Sequence, residues 1–234
     1  MRAVFKREFS AYFQSPLGYV FIAVMYFFTA YYFFTYNLYA NTTDMSNLFD
    51  QMFTVALFLV PILTMRLMSE DKRAKTDQLL LTAPVSRAGI VLGKYLSAFC
   101  VYLIAISGTL LVSFVLSAYA APDWPVIVGN VVGMALLGAS LIAICMFLSS
   151  ITESQVIAAV CGFAASLLLL LLDALVYVVS GDFFKQLFSY LSFNDRYRGF
   201  TLGIIDLSNV LFFISIAVLF ICLTTAVLER RRWS

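Results

Sequence analysis

The 234 residues are 62% hydrophobic and 12% charged, with a formal net charge of +2, whereas a soluble domain is about half apolar and a quarter charged. That balance excludes an ordinary water-soluble domain, and the small net charge gives no footprint for nucleic acid. Histidine is absent, which removes the side chain that titrates nearest neutral pH and with it any Ser-His or Cys-His catalytic unit.

In chain order, Phe5, Phe9, Tyr12 and Phe13 recur at helical spacing while Arg2, Lys6 and Ser10 take another face. The pattern predicts an N-terminal helix over residues 1–15 lying in the headgroup region. Pro16 separates it from the first apolar block. A bilayer core needs about twenty apolar residues in a helix, and blocks of that kind run from Gly18 to Tyr39, Leu48 to Met68, Ile90 to Tyr119, Val126 to Leu148, Val156 to Val179 and Ile204 to Leu228. The expected fold is therefore an all-α membrane protein with six transmembrane helices, a single transmembrane domain over 1–234. The third block is long enough to begin outside the lipid or to cross it tilted.

Lys and Arg near span ends are retained on the cytoplasmic side. Arg2, Lys6, Arg7, Arg66, Lys72, Arg73, Lys75, Arg87, Lys94, Arg230, Arg231 and Arg232 fall on one side, against Lys185, Arg196 and Arg198 on the other. Both termini are thus expected in the cytoplasm. On the outer side the loops 40–47 and 120–125 are short, but residues 180–203 hold Phe183, Phe184, Leu187, Phe188, Tyr190, Leu191 and Phe193. That is too apolar for a solvated loop and too short for two more spans, which predicts a re-entrant or interfacial helix.

Cys100, Cys145, Cys161 and Cys222 lie inside apolar blocks without C-x-x-C spacing and read as lipid-phase side chains. Asp173 is eighteen residues beyond Gln155, about 27 Å along a helix, which places it near the outer headgroups rather than at the midplane. No charge is left at mid-depth, where coupled carriers hold their ions. Gly129, Gly133 and Gly138 read as helix-packing positions.

Residues 66–87 are the densest run of charge. Ser69 is expected to cap a helix over 69–83 whose first turn holds Glu70 and Asp71. Pro84 stops that helix, and Ser86 caps the third span. Within this connection, Met68-Ser-Glu-Asp-Lys-Arg, Thr76, Leu79-Leu80-Leu81-Thr82-Ala83-Pro84-Val85-Ser86 and Ile90-Val91-Leu92-Gly93-Lys94-Tyr95-Leu96 resemble the cytoplasmic loop of the second export type of ABC permease, in the branch that includes the gliding-motility and NosY-like permeases. The likeness extends to Phe5-Lys6-Arg7-Glu8, Ser15-Pro16 and residues 200–206. Ala74-Lys75 and Gln78 depart from the usual pattern.

The resemblance implies a dimer, with a second permease copy or a homologous permease, in which each subunit seats a coupling helix on a separate ABC ATPase. Carried over, the ATPase contact is made by Glu70, Asp71, Lys72, Arg73, Thr76 and Asp77, with Leu79, Leu80 and Pro84 supporting it. No G-x-x-x-x-G-K-[ST] phosphate cradle is present: Gly89 and Gly93-Lys94 are too closely spaced, and their place at a span entrance reads as membrane anchoring. This chain is therefore expected to hold no catalytic, metal or cofactor site of its own, with ATP and magnesium bound by the partner.

The implied function is export of a substrate across the bacterial cytoplasmic (inner) membrane. The alternative is an ABC-type anchor that transmits motion to an extracytoplasmic accessory protein without transport. An intramembrane enzyme lacks paired midplane acids, and a channel lacks a selectivity-filter sequence.

Overall fold

The computed structural model describes residues 1–73, 86–119, 121–178 and 192–230. Among these residues every regular element is helical. Helix α1 spans Arg2–Gln14, α2 Pro16–Phe33 with a π-helical continuation over Phe34–Tyr39, and α3 Ser46–Thr64. Then come α4 Arg66–Arg73, α5 Arg87–Ser117, α6 Trp124–Ile151 and α7 Gln155–Val178. The chain closes with α8 Phe193–Thr201 and α9 Leu207–Arg230.

Six of these stretches are long and apolar enough to cross a bilayer: Pro16–Tyr39, Ser46–Arg73, Arg87–Ser117, Trp124–Ile151, Gln155–Leu172 and Leu207–Glu229. They coincide with the six expected blocks. Helix α5 has 31 residues, about 46 Å at 1.5 Å per residue, against a hydrocarbon core of about 30 Å. The helix is longer than the core is thick, as the length of the third block implies, an excess that turns outside the lipid or a tilt accommodates.

Helix α6 is the hub: α3, α4, α5, α7, α8 and α9 all pack on it. Its closest approaches are made at glycine. A β-carbon at Gly133 would lie 2.8 Å from the Phe200 ring, and one at Gly138 would overlap the Tyr102 ring. These glycines serve helix packing, as small residues do where lipid removes the hydrophobic drive between helices. Hydroxyls in the spans bond backward along their own helix: Thr29 to the Met25 carbonyl at 2.9 Å, Ser113 to Thr109 at 2.7 Å and Thr224 to Phe220 at 2.7 Å. None of these three needs water at depth.

Helices α7 and α9 are the most peripheral, with outward rows such as Val156, Val160 and Leu171, or Leu211, Val218 and Leu219, left exposed. At the end of the bundle near residue 200, Ser192 caps α8 by accepting from the Asp195 N–H at 3.0 Å. Phe193, Tyr197 and Phe200 are buried, and Gly203 turns the chain into α9 at φ +74°. This is the described part of the apolar segment expected over 180–203; its earlier portion lies outside the described residues.

Two serines expected at helix boundaries fare differently. Ser15 is extended at φ −100° and ψ 156°, with Pro16 opening α2, so the separation of α1 from the first span holds. Ser69, by contrast, does not cap a new helix. It sits inside α4, its hydroxyl donating to the Met65 carbonyl at 2.5 Å. The α-helical pattern of the second span is interrupted at Met65, four residues after Pro61, where the backbone stays helical at φ −53° and ψ −34°, and it continues to Arg73.

Candidate coupling site at the charged end of the bundle

The end of the bundle that carries α1, α4, the start of α5 and the close of α6 concentrates the ionic contacts. Its scaffold is the continuation of the second span. The hydroxyl of Ser149 on α6 donates to the Met65 carbonyl at 3.0 Å and accepts from the N–H groups of Met68 at 3.3 Å and Ser69 at 3.2 Å. The Met68 N–H lies in the first turn of α4, where a helix has unmet donors. The Lys72 ammonium, largely buried, donates to the Ser150 carbonyl in the last turn of α6, a favourable place for a cation against the helix dipole.

Lys94, seven residues into α5, is only 2% exposed. Its Nζ lies 2.6 Å from Asp71 of α4 and 3.2 Å from Glu8 of α1, and it donates to the Leu67 carbonyl at 2.6 Å. Arg7 closes the group from outside, 2.5 Å from Glu8 and 3.6 Å from Asp71. The four side chains carry two positive and two negative charges. A buried ion is tolerated only with such company, and removing one member of a buried pair costs about 3–5 kcal/mol. Burial on its own lowers the pKa of the Arg7 guanidinium, but its hydrogen bond to Glu8 and the charges of Glu8 and Asp71 outweigh that and raise it.

Helix α1 is laced to the second span as well. The Tyr12 hydroxyl donates to the Leu63 carbonyl at 3.0 Å, one of the acceptors near the end of α3. Arg66 donates to the Ser15 hydroxyl at 2.8 Å and covers the Tyr12 ring at 5.6 Å. Burial raises the pKa of Tyr12 above the ordinary phenol range, so it stays a neutral donor. The row facing the bundle is Val4, Glu8 and Tyr12. Phe5, Phe9 and Phe13 run beside it as an aromatic stripe, Phe5 stacked on Phe9 at 5.8 Å and Phe13 tilted against Phe9 at 5.1 Å, and Arg2 and Lys6 are exposed.

The residues singled out for partner contact divide accordingly. Glu70 and Arg73 point outward; Glu70 is half exposed and pairs with Arg66 at 2.9 Å. Asp71 and Lys72 turn into the bundle. Thr76, Asp77, Leu79, Leu80 and Pro84 lie outside the described residues. Ser86 caps α5 as expected, accepting from the Gly89 N–H at 3.2 Å, and Arg87 pairs with Glu229 at 2.9 Å across to α9.

The sequence reading missed Glu8, Lys94 and Ser149. Lys94 is not the surface anchor it was taken for. No local pattern marked it, because its carboxylate partners come from α1 and α4.

No curated protein matches the chain. The sequence profile described as ABC-2 family transporter protein matches residues 11–227, nearly the whole length and all six spans. The chain therefore belongs to the ABC-2 transporter family, as a multi-pass transmembrane permease whose class works with an ABC ATPase.

Proposed function

We propose that the chain is the membrane subunit of an ABC exporter, driven by ATP hydrolysis on a separate ATPase, in the branch that its loop resembles, with the gliding-motility and NosY-like permeases. The charged end faces the cytoplasm of a bacterial inner membrane, and the subunit pairs with a second copy or a homologous permease. ATP and magnesium stay with the ATPase, since the chain has no phosphate cradle of its own.

The observation that carries this reading is the build of α4. Its inward residues Asp71 and Lys72 are rooted in α5 and α6, while Glu70 and Arg73 stand outward at the start of the segment that runs on to Ser86. A rigid root with an outward polar face suits a handle on which a partner's closure acts, re-packing the spans as rigid bodies. In that arrangement Glu70 and Arg73, with Thr76, Asp77, Leu79, Leu80 and Pro84 beyond them, meet the ATPase. Asp71 and Lys72 hold the handle in place.

The test separates contact from folding. Glu70→Lys combined with Arg73→Glu is expected to lower recovery of the ATPase with the affinity-purified permease by about tenfold, in line with loss of interfacial charge complementarity. Membrane insertion and melting temperature should stay at the parent values. Undiminished recovery of the ATPase counts against the handle.

A second reading, force transmission to an extracytoplasmic accessory protein without transport, is favoured by one feature. At the opposite end, Ser46, Asn47, Asp50, Asn194, Arg198 and Thr201 line an open polar cleft between α3 and α8. ATP-dependent flux in reconstituted vesicles supports export; hydrolysis without flux across lipids, peptides and small hydrophobic compounds supports force transmission.

A further inference from the structure

We propose that Lys94 is a positioning residue for ATPase coupling: it bolts the N-terminal helix to the root of the handle, so that α1, α4 and the first turns of α5 move as one body. The proposal rests on the exporter function proposed for the chain and adds a part to it.

The geometry points to α1 because three elements far apart in sequence converge on one buried ammonium. Glu8 reaches it from α1, Asp71 and the Leu67 carbonyl from α4, and Lys94 itself belongs to α5. Arg7 joins Glu8 to Asp71 directly. Without these charges α1 keeps its apolar contacts and the hydrogen bonds of Tyr12 and Ser15, but loses its direct tie to the residue next to the outward Glu70.

Charge-assisted hydrogen bonds at such depth are short and fixed in geometry, so they hold α1, α4 and α5 in one relative arrangement. Motion of the handle is then carried into α1. The step from Gln14 to Pro16 passes it to the first span, which α1 adjoins through a single extended residue.

The junction offers its own covalent substitute. A β-carbon at Gly93 would lie 3.1 Å from the Val4 β-carbon, close to the separation of about 3.5–4.5 Å that a disulfide spans. The experiment uses the full chain with its native ATPase in lipid nanodiscs, on a parent in which the four native cysteines are replaced by alanine. The triple variant Glu8→Gln, Asp71→Asn, Lys94→Met removes three of the four charges, leaves only the outer Arg7, and nearly keeps the shapes. Hydrolysis normalised to the ATPase recovered with each permease is expected to fall about tenfold, within the range of a typical coupling energy. Adding Val4→Cys and Gly93→Cys and oxidising is expected to restore most of that hydrolysis.

Full hydrolysis in the triple variant overturns the proposal. So does a disulfide that forms but restores nothing, because the cluster then acts without α1. If the triple variant does not insert, the disulfide is placed in the charge-intact parent: retained hydrolysis supports one moving body, and abolished hydrolysis shows that α1 must detach.

If the parent itself engages no ATPase, the functional reading fails, and the bolt is judged by disulfide formation alone. Slower formation in the triple variant sustains it; an equal rate overturns it.

Discussion

Tyr102 shows how closely single residues set the packing of the spans. It is fully buried, its hydroxyl donates to the Met134 carbonyl at 3.0 Å, and its ring fills the space that a β-carbon at position 138 needs. Gly138→Val is therefore expected to destabilise the folded protein by about 1–3 kcal/mol, the usual penalty of overpacking. Tyr102→Leu in the same chain should recover part of the loss. Thermal unfolding in detergent reads both, and a valine variant as stable as the parent would show that the helices separate freely there. Gly138 was legible in the sequence because a small residue in an apolar helix has few other uses. Lys94 was not. Its carboxylate partners stand 86 and 23 positions away, and nothing local distinguishes a buried ammonium from one reaching the headgroups.

At the scale of elements, α4 is instructive because its stability comes from another helix. The hydroxyl of Ser149 accepts from the N–H groups of Met68 and Ser69 and donates to the Met65 carbonyl. Ser149→Ala removes the buried hydroxyl that accepts from the Met68 N–H, while the Met65 carbonyl keeps the Ser69 hydroxyl, a loss of about 1–3 kcal/mol. The effect should be local: hydrogen exchange over residues 66–73 rises about tenfold for each 1.4 kcal/mol lost, while exchange in α9 stays unchanged. A uniform rise would mean that α4 has no independent opening and that the interruption at Met65 is not a joint. The same dependence explains why the sequence suggested a helix beginning after Ser69. A serine followed by two acids carries the local signature of a cap, but a cap acts only where the helix begins. Here the chain passes from α3 to α4 without leaving the helical region at Met65, and the serine that meets the first turn of α4 comes from α6. The six spans, the boundary at Ser15-Pro16 and the Ser86 cap were readable because length, proline and a following N–H are local quantities.

For the molecule as a whole, function turns on which side of the membrane the charged end occupies. Twelve of the fifteen Lys and Arg residues cluster at that end in the sequence-based assignment, and the described members of the set gather there around α1, α4 and the start of α5. Positive charge near span ends stays on the side of synthesis, so this end should face the cytosol. ATP is hydrolysed there, and only there can an ATPase grip the residues around Glu70. Single cysteines placed in a cysteine-free chain decide the matter. A maleimide that does not cross membranes, applied to intact cells, is expected to modify exposed Thr43→Cys and Leu202→Cys at the opposite end. It should spare the exposed positions Lys6→Cys and Arg73→Cys until the membrane is opened. The reverse pattern would put Glu70, Arg73 and the whole ionic junction outside the cell, beyond reach of any cytosolic ATPase, and both the handle and the bolt would fall together. Labelling at all four positions in intact cells would mark a mixed topology, which the single-sided charge distribution disfavours.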